Sequence, residues 1–223
     1  MSGNRLFAHA ALQRRRTRAL LPILTTALMD QIPLRAFLDL LTRGVVQPRP
    51  VARRIIDARL DARGRLMLVG LAAAIQGFFW AAFATLGPVG GFGVGGQALL
   101  ALLVFANYAL TAAVAIHLGR RLGGRGSAEE VAAAVAWHAV LTAGLTPLQI
   151  VGLGGASFGA ADLGAGGALF ALLYAGLNVW LLAACVAEGH RFPSTGKVAA
   201  AIVALFLVLG LTLSLLLSGL MRS

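Results

Sequence analysis

The sequence predicts an all-α, polytopic membrane protein: a bundle of five transmembrane helices preceded by amphipathic interfacial helices. Three observations predict it. Of the 223 residues, 59% are hydrophobic and only 12% are charged, with a mean hydropathy of +0.84. A soluble domain carries roughly 25% charged residues, so this chain could not cover a water-facing surface. The apolar residues also fall into five long blocks with few or no charges, which is how bilayer-spanning helices read. Finally, the loops between those blocks are alternately basic and non-basic, as the two sides of a membrane require.

Taken in order, residues 1–28 read as a basic tail. Arg14, Arg15, Arg16 and Arg18 precede Leu20-Leu21-Pro22-Ile23-Leu24, which superficially resembles a signal peptide. The apolar stretch is short, contains Pro22 and lacks a small-x-small cleavage site. Cleavage would also export the arginine-rich segment that follows, so the signal peptide is rejected. Met29 is an alternative start, which would make the tail dispensable and disordered.

Residues 29–65 read as cytoplasmic interfacial helices. Leu34, Phe37, Leu38, Leu41 and Val45 fall on one helical face, at i, i+3, i+4, i+7 and i+11. Pro33 suits a first turn, and Gly44 weakens the end. Gln47-Pro48-Arg49-Pro50 then breaks the helix. A second short helix places Val51, Ile55, Ile56 and Leu60 among arginines. Both are expected to lie with apolar faces in lipid and with Arg35, Arg43, Arg49, Arg53, Arg54 and Arg59 toward anionic headgroups.

The spans of the membrane domain, residues 66–221, are Leu66–Leu86, Gln97–Leu118, Val131–Leu153, Leu163–Ala187 and Val198–Met221. Each has about 20 residues or more, enough for a core roughly 30 Å thick at about 1.5 Å per residue. The Gly87–Gly96 loop has no charge, and the third loop has only Asp162. The second loop carries Arg120, Arg121 and Arg125 with Glu129 and Glu130, and the fourth carries Glu188, His190, Arg191 and Lys197. Residues 1–66 hold 13 Arg against 4 Asp, a net of +9 out of +11 for the whole chain. The positive-inside rule then places the N-terminus in the cytoplasm and the C-terminus outside.

A basic head could also bind nucleic acid, but such modules interleave aromatic rings for base stacking. This head offers only Phe7 and Phe37, so nucleic acid is excluded as a partner. Cys185 is the single cysteine; it cannot pair within the chain and reads as a small buried hydrophobe. Gly91-Phe92-Gly93-Val94-Gly95-Gly96 has G-x-G-x-x-G spacing but no preceding strand, and reads as a loop. Gly196-Lys197 is followed by Val198 where a P-loop needs Ser or Thr. His117 and His190 sit at expected helix C-termini, where the helix dipole favours an imidazolium. The four histidines lack metal-ligand spacing, and no serine has a His/Asp partner at one depth. No catalytic residue, metal or cofactor is expected.

The polar residues within the spans are more informative. His138, Thr142 and Gln149 share a face of the third span within about 40° at 3.6 residues per turn. Tyr174, Asn178 and Cys185 share a face of the fourth, and Asn107 and Thr111 one of the second. Asn107, Thr111, His138, Thr142, Gln149, Tyr174 and Asn178 therefore form an intramembrane polar seam. Such a seam either lines a polar cavity or supplies hydrogen bonds that fix the bundle. The second reading is favoured, because no Asp or Glu lies deep in any span. Small residues recur every fourth position at Ala73, Gly77 and Ala81, and at Gly210, Ser214 and Ser218, the spacing that lets helix backbones approach.

These features together resemble a known family. A proline-containing basic stretch, Pro48-Arg49-Pro50-Val51-Ala52-Arg53-Arg54-Ile55, leads into five spans. A Gly-rich loop, Leu122-Gly123-Gly124-Arg125-Gly126-Ser127, precedes the third span, and Pro147 lies within it. Over residues 31–221 the chain resembles the bacterial members of the Yip1 family. The resemblance implies a five-helix membrane domain with a cytosolic N-terminus. Eukaryotic relatives bind Rab-type GTPases, but their Asp-Leu-Tyr-Gly-Pro-type motif has no counterpart here. Residues 1–65 contain no tyrosine, so that role is not carried over. An Arg to Lys ratio of 18 to 1 points to a GC-rich bacterial genome, and hence to the cytoplasmic (inner) membrane. The expected function is a non-enzymatic scaffold that organises anionic lipid or an unidentified membrane or cytosolic protein partner. The alternative is a small permease or the membrane subunit of a transporter.

Overall fold

The computed structural model describes residues 34–86, 93–157 and 164–220. The expectations for the 1–28 tail, most of the Gly87–Gly96 loop, Asp162 and Arg222 lie outside these residues. The chain divides into two compact units, Met1–Thr42 and Arg43–Ser223. In the first, residues 34–42 form the opening turns of helix α1 (Leu34–Val46), and the Thr42 hydroxyl donates to the Leu38 carbonyl at 2.9 Å. In the second, the end of α1 is followed by α2 (Pro48–Asp57), α3 (Ala62–Leu86), α4 (Val94–Arg121), α5 (Ala128–Gly144), α6 (Thr146–Ser157), α7 (Gly164–His190) and α8 (Thr195–Leu220). No strand occurs among the described residues.

Helices α3, α4, α7 and α8 are long and apolar enough to cross a membrane. Helices α5 and α6 pass the same test only as a pair, bent by 56° at Leu145, which makes them either one broken span or a re-entrant loop. The sequence suggested one continuous third span; the bend has a local cause. Pro147 has no N–H to give the Ala143 carbonyl, and its ring crowds the turn before it. The helix therefore ends at Gly144, Leu145 adopts φ −89° and ψ 0°, and the chain restarts with Pro147 in the first turn of α6, where proline fits.

At the centre of the second unit lies α5, packed most extensively on α3 and α7. From Val131 to Ala143 it is buried almost continuously, with Ala134 and Ala136 fully enclosed. Its neighbour α7 contributes Ala183, Ala184, Cys185 and Ala187, all at 0% exposure. Small side chains on both helices let the backbones come close. In contrast, α8 packs chiefly along α7 and leaves Leu207 and Leu211 exposed at 68% and 64%. In water such a surface would aggregate; facing hydrocarbon it is at home.

At α2 the structure departs from the sequence expectation. The helix forms and is amphipathic, but Val51, Ala52 and Ile56 are buried against α5 and α7 rather than turned to lipid. Amphipathicity identifies the face to be covered and says nothing about whether lipid or protein covers it. Gly44, near the end of α1, has a packing role. It is a buried position where an added Cβ would meet Leu141 at 2.6 Å and Trp137 at 3.2 Å.

Candidate functional site

Between the helices of the bundle lies a cavity of about 260 Å³, and all seven seam residues line it. Asn107 and Thr111 come from α4, His138 and Thr142 from α5, Gln149 from α6, and Tyr174 and Asn178 from α7. Gln76 on α3 and Tyr108 on α4 join them. Sequence reasoning missed these two: Gln76 is alone on its face, whereas Tyr108 lies three residues from Thr111 on one face, a spacing that could have found it. Asn178 and His138 lie ten and eleven residues in from Glu188 and Ser127. At about 1.5 Å per residue this is roughly 15 Å, the middle of a hydrocarbon core about 30 Å thick.

The bonds inside the cavity follow from donor chemistry. His138 Nε2–H donates to Asn178 Oδ1 at 2.9 Å, tying α5 to α7. Thr142 donates to the carbonyls of His138 and Ala139, at 3.1 and 3.0 Å, within its own helix. Thr142 and Gln149 lie on either side of the Leu145 break, so the bend turns both half-helices toward the same space. Amides, hydroxyls and an imidazole make up the polar lining; the lining contains no carboxylate, lysine or arginine. Such a site can hydrogen-bond water or a small neutral polar group.

A second polar centre lies at the basic end of the bundle. Glu188, near the end of α7, accepts from Arg49 Nε at 2.9 Å and from Arg53 Nε at 2.7 Å. Arg49 Nη2 also donates to the Phe192 carbonyl at 2.9 Å, so α2 clamps the turn that follows α7. Arg191 donates to Glu130 at 2.8 Å, and Ser127 with Glu130 forms a capping box at the start of α5. Arg49 and Arg53, both expected at headgroups, are thus bonded to protein. Arg35, Arg54 and Arg59 are exposed, and Arg43 is exposed while also interacting within the protein.

The Gly-rich loop owes part of its composition to His190. This residue is 1% exposed at the end of α7, and its Nε2–H donates to the Ala115 carbonyl at 2.9 Å. A Cβ on Gly119 or Gly124 would run into the imidazole ring, and one on Gly126 into the Gly189 carbonyl. Gly123 takes a left-handed φ of 86°, which costs glycine little. The ring is therefore a buried wedge between the end of α7 and the glycines beside it. A carbonyl can only accept, so Nε2 carries the proton. His117 is exposed, with its ring nitrogen Nδ1 3.1 Å from the Ala113 carbonyl.

A family model described as Yip1 domain matches residues 43–216. Neither a curated protein nor a solved structure matches the chain.

Proposed function

The chain belongs to the Yip1 domain family, and from that membership we propose a non-enzymatic integral membrane protein that organises anionic lipid and partner proteins at one face of the bilayer. The observation that carries this reading is the charge at one end of the bundle. Arg54, Arg59, Arg63, Arg120, Arg121 and Arg125 are exposed there, against exposed Asp57, Asp61 and Glu129. Each basic side chain near an anionic surface contributes about 1 kcal/mol, screened by salt within a Debye length. By the positive-inside rule this face is cytoplasmic in a bacterial inner membrane, with the N-terminus inside and the C-terminus outside. Maleimide labelling of an Arg125→Cys variant from the cytoplasmic side alone checks that orientation.

The lipid reading is tested in nanodiscs of mixed phosphatidylglycerol and phosphatidylcholine. The full chain is expected to enrich phosphatidylglycerol around itself, and Arg54→Gln with Arg59→Gln to reduce that enrichment. Arg49→Gln with Arg53→Gln is expected instead to lower the unfolding temperature, since those two side chains hold α2 on Glu188. Equal enrichment in all three proteins counts against the proposal.

One observation favours a second reading, a small permease or transporter subunit. A broken helix beside a polar cavity is how many transporters build a substrate site. Swelling of proteoliposomes in small neutral polar solutes, absent from empty vesicles, would support it.

A further inference from the structure

Helices α4 and α8 both pack on α7 but share no extended contact with each other. The gap between them is a groove of about 500 Å³. Leu182 and Val186 of α7 form its floor, Leu110 and Val114 of α4 one wall, and Ile202 and Leu205 of α8 the other. Lys197 and Ser194 stand at the mouth, at the basic end of the bundle, while Asn107 and Thr111 close the far end against the polar cavity. We propose that this groove holds one anionic phospholipid from the leaflet on the basic side, with its phosphate at Lys197 and one acyl chain along the groove. The inference rests on the lipid-organising reading and names its ligand.

Length, charge and lining each select that occupant. From Lys197 to Leu209, both lining residues, α8 rises about 18 Å over twelve residues. Half of a hydrocarbon core is about 15 Å, so the groove runs from headgroup level to the midplane, the reach of one leaflet's chain. Its lining is apolar along that length and turns polar where a chain from one leaflet would end. At the mouth, Lys197 is exposed and has no ion-pair partner among the described residues, and the first turn of α8 contains no acidic residue. Arg49, Arg53 and Arg191 are by contrast matched to Glu188 and Glu130. An unmatched ammonium at headgroup depth is complementary to a lipid phosphate and favours a net anionic headgroup over a zwitterionic one.

The test is native mass spectrometry of the full chain, purified in mild detergent and supplied with dioleoyl phosphatidylglycerol or dioleoyl phosphatidylcholine. Wild type is expected to keep one phosphatidylglycerol through a detergent wash that strips the rest. Lys197→Gln should still hold a lipid but lose about fivefold of the preference for phosphatidylglycerol, the factor expected for one basic residue at the surface. Ala201→Trp, which fills the groove from an exposed position on α8, should lose the retained lipid of either kind. Arg54→Gln with Arg59→Gln should keep it, which separates this site from the general basic surface. Absence of a retained lipid in wild type overturns the proposal. So does an unchanged preference in Lys197→Gln, undiminished retention in Ala201→Trp, or loss of the lipid in the arginine variant.

Discussion

Helices α5 and α8 are both apolar, yet they occupy opposite positions. Seven of the 17 residues of α5 are alanine, and the helix is enclosed on nearly every side. Nine of the 26 residues of α8 are leucine, and most of them that are described stand exposed. In water the more apolar helix would be the buried one. In lipid the hydrocarbon tails are as apolar as leucine, so burial is decided by how closely backbones can approach and by which polar groups need partners. Alanine and glycine permit the first, and His138 demands the second. The difference teaches that apolarity marks a span, whereas side-chain size marks its place in the bundle.

The largest effect should come from disturbing the close approach. Ala134 is fully buried on the side of α5 that faces Gly189 of α7. Ala134→Leu adds three carbons where neither backbone can retreat, and overpacking of this kind costs about 1–3 kcal/mol. Thermal unfolding in detergent should show a clear drop. Leu207→Ala on α8, which removes the same three carbons from an exposed position, should leave the midpoint nearly unchanged. Equal drops would break the distinction between the two helices.

A smaller effect is expected from the polar partner that α5 needs. His138→Leu or Asn178→Leu each leaves one member of the α5–α7 hydrogen bond without its partner. Side-chain hydrogen bonds between membrane helices average about 0.6 kcal/mol and reach about 1.7, so each single variant should lose roughly 1 kcal/mol. The double variant should lose less than the sum, because removing both partners leaves neither unsatisfied. Strict additivity in a double-mutant cycle would mean that the two groups act independently.

How much of this was legible in the sequence depended on whether the signal was carried by one helix or by several. Helical spacing grouped His138, Thr142 and Gln149 and, separately, Tyr174 with Asn178, because each set repeats within a single segment. The cavity they line together is a property of the packed bundle. Gln76, alone on its face, carried no such pattern, whereas Tyr108 did, three residues from Thr111. The same limit hid the bond from Glu188 to Arg49 and Arg53, which lie 139 and 135 positions away, and with it the docking of α2. Pro147 was visible within the third span, and the break at Leu145 follows from its missing N–H, but the 56° size of the bend left no mark in the sequence. The glycines of the 122–127 loop stood out as a motif, and only the packed structure explains them: the His190 ring beside Gly124, the Gly189 carbonyl beside Gly126 and the left-handed φ of Gly123.

The smallest effect is expected at a pair of small-residue stripes that read alike in sequence. On α3, Ala73 is buried and Gly77 is pressed against α4, where an added Cβ would lie 2.9 Å from Gln97 Oε1. On α8, nothing lies within 4 Å of a Cβ built on Gly210, and Ser214 and Ser218 are exposed. Gly77→Leu should therefore cost stability, since a branched side chain would have to displace Gln97. Gly210→Leu, on the lipid-facing helix, should shift the unfolding free energy by less than about 0.5 kcal/mol, as substitutions away from packed features usually do. Thermal unfolding of the two variants in the same detergent reads both. A drop for Gly210→Leu matching that for Gly77→Leu would mean that the α8 stripe is covered by something outside this chain. The exposed helix would then belong to an interface, and its contrast with α5 would describe one protomer rather than the working assembly.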